Sequence, residues 1–465
     1  MEKYAVIIIG SGIGGLTTAA YLSKLGIKSL LLEQNDTLGG RCANRNIGGQ
    51  KFEIGAIYLG GGVFDHLRNI FGVDCKTIPI RCGVRIGNGI ASFPIDRRAV
   101  LELKLCGISW LELFRLRYRM RILSNPELLS RYCSIGEVYD ALTDNKILRQ
   151  FFSVITGVSG VSPYSLPSRY LSTQHPIARY KALNPEYLQG GNGEIASILV
   201  KLAEKNCKII RNVKIDKIII EANMVKGVKS NQQEYLGKIV VSNAGLRSTV
   251  LTLTDSGNWP KDYYNHVQST KETLQVVNIF LTFSHTFSIP KDYTVFFLPY
   301  NIDEEFKILE NGSFPEDSMF ILHVPSNAEP QNEGDYRATL QFYYPREIRV
   351  DQECLDKQIN KIMNDGLEKL FKGFSKAITG YEVYDPSRYE KEFGLIPFVF
   401  GVSPGIDTTC FPIQTPIKGL FCTGDSVAPE GPCVPQAMES GLMCGRMVAD
   451  SLHLSGKGLL SYLKN

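Results

Sequence analysis

A run of apolar residues, Ala5-Val6-Ile7-Ile8-Ile9, leads directly into Gly10-Ser11-Gly12-Ile13-Gly14-Gly15 and then into a helical pattern over residues 16–25. An unbroken apolar run is how a strand buried on both faces of a parallel sheet reads, and a glycine-rich turn behind it aims the next helix N-terminus at a pyrophosphate. Gly10 makes the turn, Gly12 lets backbone approach phosphate oxygens, and Gly15 lets the helix pack on the strand. The second strand, residues 29–32, ends in Glu33, about 20 residues beyond the glycines, where a carboxylate accepts hydrogen bonds from both hydroxyls of an adenosine ribose. Strand, turn, helix, strand and acid in this order predict a dinucleotide-binding βαβ unit, with Ser11, Gly14 and Gln34 beside the cofactor.

Gly39-Gly40-Arg41 follows the acid. A nicotinamide dehydrogenase has no need of a second glycine pair and an arginine here. A cofactor that continues past the pyrophosphate does, because a second loop must close over it. On these residues the chain resembles the large FAD family that contains amine oxidases, protoporphyrinogen oxidase, phytoene desaturases and the GDP-dissociation inhibitors. Phe52-Glu53-Ile54-Gly55-Ala56 is similar to that family's next element. The resemblance implies that Gly40 and Arg41 lie on FAD and that Gly55 and Ala56 bring backbone to the flavin ring.

At 465 residues the chain exceeds what one compact core usually holds, so two domains are expected. An apolar fraction of 44% fills both, and a formal charge of +4 argues neither for nucleic acid nor against a membrane surface. Eleven cysteines without C-x-x-C spacing read as reduced thiols of a cytoplasmic protein. The first strand begins too close to Met1 for a signal peptide, and no apolar stretch has the length of a transmembrane segment, so any membrane contact is expected to be peripheral.

Three separated segments carry nucleotide-fold signals: residues 1–75, 188–252 and 385–465. In the second, Gly190-Gly191-Asn192-Gly193 opens a helix over 194–204, strands are expected at 208–210, 213–220, 225–228 and 239–241, and Asn243-Ala244-Gly245 closes it as a turn. The resembled family inserts a small strand meander here and implies that the Val213 backbone meets the adenine; the residue itself reads as a core strand position. In the third, residues 415–425 read as a loop, a short strand and a turn ending in Gly424-Asp425, ahead of a helix that opens at Pro435. This is similar to the C-terminal flavin motif of the phytoene desaturase branch. It implies that Gly424 and Asp425 hold the ribityl-phosphate part of FAD, and that Val434 and Pro435 begin a helix whose positive end faces the flavin's carbonyl edge.

The intervening segments, 76–187 and 253–384, read as one substrate domain, with helices at 97–123 and 134–152 and strands at 276–283, 294–298, 319–324 and 337–344. Residues 325–330 and 335–345 resemble a Pro-Ser turn and strand of phytoene desaturases, carotenoid isomerases and retinol saturases. The expected class is α/β, α+β in the substrate domain: a Rossmann-like FAD-binding domain of the amine oxidase and GDP-dissociation-inhibitor type with an inserted mixed-sheet domain.

Chemistry at a flavin needs orientation and electrostatics from the protein, because the cofactor carries the hard step. No nucleophilic triad or metal cluster is visible, and His66, His175, His266, His285, His323 and His453 lack ligand spacing. The loop 429–435 is expected beside the flavin. Desaturases of the resembled branch carry a glycine-rich run there; this chain has Glu430 and Cys433. Glu430 reads either as an acid or base or as a solvated carboxylate, and Cys433 either as a group that tunes the flavin or as a packed thiol. The Ser-Gly-Gly-Cys context of covalent flavin attachment is absent, so FAD is expected to bind noncovalently. Phe296, Phe297, Phe342, Tyr343 and Tyr344 are either walls of an apolar tunnel or ordinary core. Residues 113–121, with four arginines among apolar side chains, either dock on anionic lipid or form a solvated helix face.

The resemblance implies an FAD-dependent oxidoreductase that moves hydride between a substrate carbon and flavin N5, desaturating, saturating or isomerising an apolar isoprenoid-like molecule, with a quinone or oxygen as electron acceptor. Two alternatives stay open: an amine or amino acid oxidase releasing peroxide, and a non-catalytic carrier of prenylated partners with the same fold.

Overall fold

The computed structural model describes residues 3–57, 59–60, 62–87, 89–171, 185–231, 233–284, 289–298, 301–329, 336–346, 350–399, 401–403, 405–406, 410–430 and 433–452. His175, His285, His453, residues 330–335 and residues 431–432 of the expected flavin loop lie outside them.

The apolar run folds as the strand Lys3–Ile9, and Val6 to Ile9 are buried. It sits at the middle of a sheet in which the strands Leu420–Cys422, Gln233–Ser242, Lys3–Ile9, Ser29–Leu32 and Cys207–Ile210 run parallel side by side. The long strand Gln233–Ser242 serves two neighbours on one side. Its first half pairs antiparallel with Met224–Ser230, itself paired with Lys217–Glu221, and its second half pairs parallel with Leu420–Cys422. The helix Ile13–Lys24 covers the sheet and is crossed by the C-terminal helix Cys433–Ser451.

A second sheet has the order Ile378–Tyr384, Gln275–Phe283, Arg337–Tyr344, Phe320–His323, Val295–Leu298, Cys82–Ile86, Gly89–Phe93. Its one parallel pair joins Val295–Leu298 to Cys82–Ile86, so the sheet is mixed. Alternate residues on each strand feed two separate cores: Phe297, Ile321 and Tyr343 enter one, Phe296, Phe320 and Phe342 the other. Helices cover both faces, as the expected class requires.

Several elements depart from the pattern read above. The helix expected over 97–123 is three, Arg97–Leu105, Trp110–Arg119 and Arg121–Ser124. Gly107, at φ +93°, turns the chain between the first two, and Ser109 starts the next: its Oγ accepts from Glu112 N at 3.1 Å while Ser109 N donates to Glu112 at 2.9 Å. The stretch 134–152 divides into Ile135–Leu142 and Lys146–Gly157, because Asn145 Oδ1 accepts from Ile147 N at 2.9 Å and restarts the helix. Val213 is not a strand residue; it lies in an irregular segment ahead of Lys217–Glu221.

Candidate cofactor and substrate cavity

The carboxyl ends of the parallel strands open on one cavity of about 1600 Å³ that continues to the second sheet. It is lined by Gly10, Ser11, Gly12, Gly14, Glu33, Gln34, Gly40, Arg41, Gly55, Ala56, Val213, Gly424, Asp425, Cys433, Val434 and Pro435. Gly15 and Glu430 are not on its wall.

At the nucleotide end, Glu33 Oε2 accepts from both the backbone N and the Oγ of Ser11 at 2.7 Å, and Oε1 accepts from Asn35 N at 2.9 Å. A carboxylate offers about four acceptor sites, so capacity is left for a ligand. The Glu33 carbonyl also accepts from Val213 N at 2.8 Å, which sets Val213 on the cavity wall next to Glu33. Ser11 O accepts from Gly39 N at 3.0 Å and ties the second glycine loop to the first.

The glycines are dictated by crowding. A Cβ on Gly14 would meet Gly424 N at 2.7 Å, and one on Gly15 would meet Gly10 O at 2.2 Å. Gly15 therefore serves the packing of helix on strand, and Gly14 the approach of the C-terminal motif. A Cβ on Gly55 would meet Arg41 O at 2.5 Å. Gly424 itself stands at φ +109°, where only glycine is at ease.

Arg41 and Asp425, 384 residues apart, form an ion pair on the cavity wall, and Arg41 also donates to the Phe398 carbonyl. Burial works against the Arg41 charge, but Asp425 outweighs it and holds the guanidinium above its usual value. Beside them Cys433, the first residue of the C-terminal helix, is a thiol whose pKa burial pushes up to about 12. Burial likewise holds the phenol of Tyr170, another wall residue, well above its ordinary value. Both stay protonated at neutral pH.

Glu430 is committed elsewhere. Arg169 Nε donates to its Oε2 at 2.9 Å and Nη2 to its Oε1 at 3.0 Å, while the same guanidinium donates to the carbonyls of Gly405 and Ile406 at 3.1 Å. The carboxylate closes a loop rather than facing the cavity. Of the five aromatic candidates Phe297, Phe342 and Tyr343 border the cavity, and Phe296 and Tyr344 do not. Met120, Val154, Met319 and Ile321 complete an apolar end.

Asn243 was legible only as a turn. With its amide oriented to satisfy both ends, Oδ1 accepts from Gly12 N at 3.1 Å and Nδ2 donates to Thr423 O at 3.2 Å. It thus joins the first glycine turn to the strand that leads into Gly424-Asp425. Its signal was positional: it follows the strand that pairs parallel with the first, and side chains just beyond such strands meet at one edge.

Of the six histidines, three are described. His66 pairs with Glu439 at 2.8 Å, His266 packs on Phe411 and His323 is buried. No cluster of metal-ligating side chains occurs among the described residues, and none of their helices is long and apolar enough to cross a membrane.

The geometry fits FAD. A groove rich in glycine, with Gly10, Gly12, Gly14, Gly40 and Gly424 on its wall, runs between Glu33 and Asp425, and a Cβ at Gly12 would meet the Asn243 amide at 2.5 Å. Two helices, Ile13–Lys24 and Cys433–Ser451, begin at this groove, and their N-terminal N–H groups favour negative charge.

Residues 8–72 match the family model described as an NAD(P)-binding Rossmann-like domain. The chloroplastic prolycopene isomerase 1 of an Oncidium hybrid cultivar is 25% identical, covering 98% of this chain and 85% of that protein. The phytoene desaturase of Fusarium fujikuroi is 25% identical, covering 78% and 70%. Among solved structures, an oxidoreductase from Methanosarcina mazei superposes with a TM-score of 0.71 at 19% identity, covering 96% of this chain and all of that one. Cyclohexylamine oxidase from Brevibacterium oxydans gives 0.64 at 14% identity, covering 97% and 100%, and the Rab GDI of Plasmodium falciparum 0.58 at 15%, covering 97% and 98%. These structural likenesses show the fold. The fold is one that an amine oxidase and a GDP-dissociation inhibitor share, and the sequence relatives bear out the resemblance to phytoene desaturases and carotenoid isomerases.

Proposed function

We propose that the cavity binds FAD noncovalently and that the chain is an FAD-dependent oxidoreductase acting on an apolar, unsaturated isoprenoid-like molecule. The observation that carries this reading is the continuity of one cavity from Glu33 and the glycine turn to an apolar end walled by the second sheet. FAD bound there supplies the centre that takes or gives hydride.

The residues of the chain do the rest. Glu33 accepts from the adenosine ribose, and the first N–H groups of Ile13–Lys24 face the diphosphate. Asp425, held in place by Arg41, accepts from the ribityl chain. The N-terminus of Cys433–Ser451 stabilises negative charge at the far end of the cofactor. Phe297, Ile321 and Tyr343 exclude water from the substrate side. Tyr170 and Cys433, protonated on the cavity wall, supply no base. Glu430, in its ion pair, positions the loop and does not take part in chemistry. A quinone or oxygen would serve as the electron acceptor. The relatives support the substrate class, since their names refer to prolycopene and phytoene.

The test is the visible flavin spectrum of the purified protein under anaerobic conditions while a lipid extract, then a polar metabolite extract, is added. Bleaching by the lipid fraction alone is the expected outcome. Bleaching by the polar fraction alone, with peroxide released on admitting air, would replace this reading with an amine or amino acid oxidase. A colourless protein that FAD does not reconstitute would turn it into a carrier.

A further inference from the structure

We propose that the helices Arg97–Leu105 and Trp110–Arg119 dock this protein on the surface of an anionic lipid bilayer, and that the cavity takes its substrate from that surface. Ten large apolar side chains are exposed among the described residues, and six of them lie on these two helices: Leu101, Leu105, Trp110, Leu111, Phe114 and Tyr118. Leu105 is 87% exposed and Phe114 74%. Positions 101 and 105, and 110, 114 and 118, are each one turn apart, so each helix presents an apolar ridge. The opposite faces are already used, since Leu103 and Leu116 are buried in the core beneath. The helices therefore carry two apolar faces, one packed and one bare. A solvated helix carries only the first.

Charge selects the partner. Arg97, Arg115, Arg117 and Arg121 are exposed on the same segment, and Arg121 lies 5.9 Å from the centre of the Tyr118 ring. The nearby acids are engaged: Glu102 accepts from Arg98 at 2.7 Å, Glu112 closes the capping box, and Asp96 pairs with Arg81. An apolar ridge with Trp and Tyr at its edge and arginines around it matches the headgroup boundary of an anionic leaflet. A second copy fits less well, because a two-fold pairing of this face sets arginine against arginine. At ten residues, Trp110–Arg119 lies on a bilayer and does not span it.

Position ties the surface to the site. Met120, next after Arg119, lines the cavity, as does Ile135 at the start of a following helix. The patch thus borders the apolar end, and a molecule dissolved in lipid reaches it without crossing water. This delivery step rests on the reading of the cavity as a site for apolar substrates; the docking does not.

Flotation with vesicles of phosphatidylglycerol and phosphatidylcholine, against phosphatidylcholine alone, tests it. The protein is expected to float with the anionic vesicles at low salt and to be released as salt rises. Trp110 reports contact directly. The chain has two tryptophans, and Trp259 is buried, so a blue shift and quenching by brominated lipid read Trp110. Phe114→Ser with Leu105→Ser is expected to weaken vesicle binding more than about tenfold. Arg115→Glu with Arg117→Glu is expected to weaken it about fivefold or more per site. All four positions are exposed, so the thermal midpoint and flavin content are expected to stay as in the parent. Absence of flotation and of the Trp110 shift with anionic vesicles overturns the proposal. So does a stable dimer that Phe114→Ser dissociates. A protein that floats yet is bleached only by polar extract keeps the docking and loses the substrate class.

Discussion

Asn243 and Glu430 show how differently two polar side chains near one cavity are employed. Asn243 joins Gly12 N to Thr423 O across the site, so Asn243→Leu, similar in volume but without either hydrogen bond, leaves a backbone donor and acceptor unpaired. The expected cost is about 1–3 kcal/mol, read as a loss of about tenfold or more in FAD affinity by fluorescence titration. Glu430 is spent on Arg169. Glu430→Gln is expected to lower the thermal midpoint by a few degrees while the rate of flavin reduction stays unchanged, and a fall in that rate would return Glu430 to the chemistry. The sequence made the glycines and Glu33 legible because their tasks are local: a turn, a close approach, an acid at a strand end. Asn243 was not, because its value lies in reaching two loops 231 and 180 positions away, which no spacing along the chain encodes.

Among elements, the crossing of Ile13–Lys24 with Cys433–Ser451 carries the most consequence, since both helices start on the cofactor groove. Thr18 Oγ1 donates to Gly14 O at 2.9 Å and lies 3.1 Å from Gly441 O, and a Cβ on Gly441 would meet Gly14 O at 2.5 Å. Backbone cannot swing aside as a side chain does. Gly441→Val is therefore expected to cost about 1–3 kcal/mol and to reduce the flavin retained on purification, whereas Gly445→Ala, whose single added carbon meets the Tyr21 side chain at 2.7 Å rather than backbone, is expected to cost less of both. Strand Arg337–Tyr344 matched its predicted bounds because apolar residues recur at every second position, Ala338, Leu340, Phe342 and Tyr344, a period that the sequence displays directly. The helix over 97–123 did not, since Gly107 and the Ser109 cap interrupt a composition that is helical throughout. The exposed ridge on it was equally hidden: apolar residues facing water and facing a core read alike.

For the molecule as a whole, two buried titratable groups shape stability against pH. Burial raises Glu305 from 4.5 to about 8, and burial, with Arg337 alongside and against Glu53, lowers His323 from 6.5 to about 4. Between pH 4.5 and 8 folded Glu305 holds a proton that the unfolded chain has lost, so its contribution falls as pH rises. Between pH 4 and 6.5 the unfolded chain holds a proton that folded His323 rejects, so that contribution falls as pH falls. The slopes oppose each other up to pH 6.5, and above it Glu305 acts alone. Glu305→Gln keeps the carbonyl that accepts from Met319 N and is expected to hold the thermal midpoint level from pH 6.5 to 8, where the parent declines; equal slopes for the two proteins would count against the buried acid.

By itself the chain's order of residues determined what is local: the βαβ unit, its acid, the second glycine loop and the Gly-Asp turn. Periodicity and turn chemistry act over a few residues, and those elements need nothing more distant. Packing alone brought Arg41 to Asp425, drew Glu430 away to Arg169, opened one cavity between two sheets and left the 97–119 helices bare on one face. Each of these depends on how elements separated by tens to hundreds of residues come to share a surface. That is set by the complementarity of whole faces, which no single segment contains.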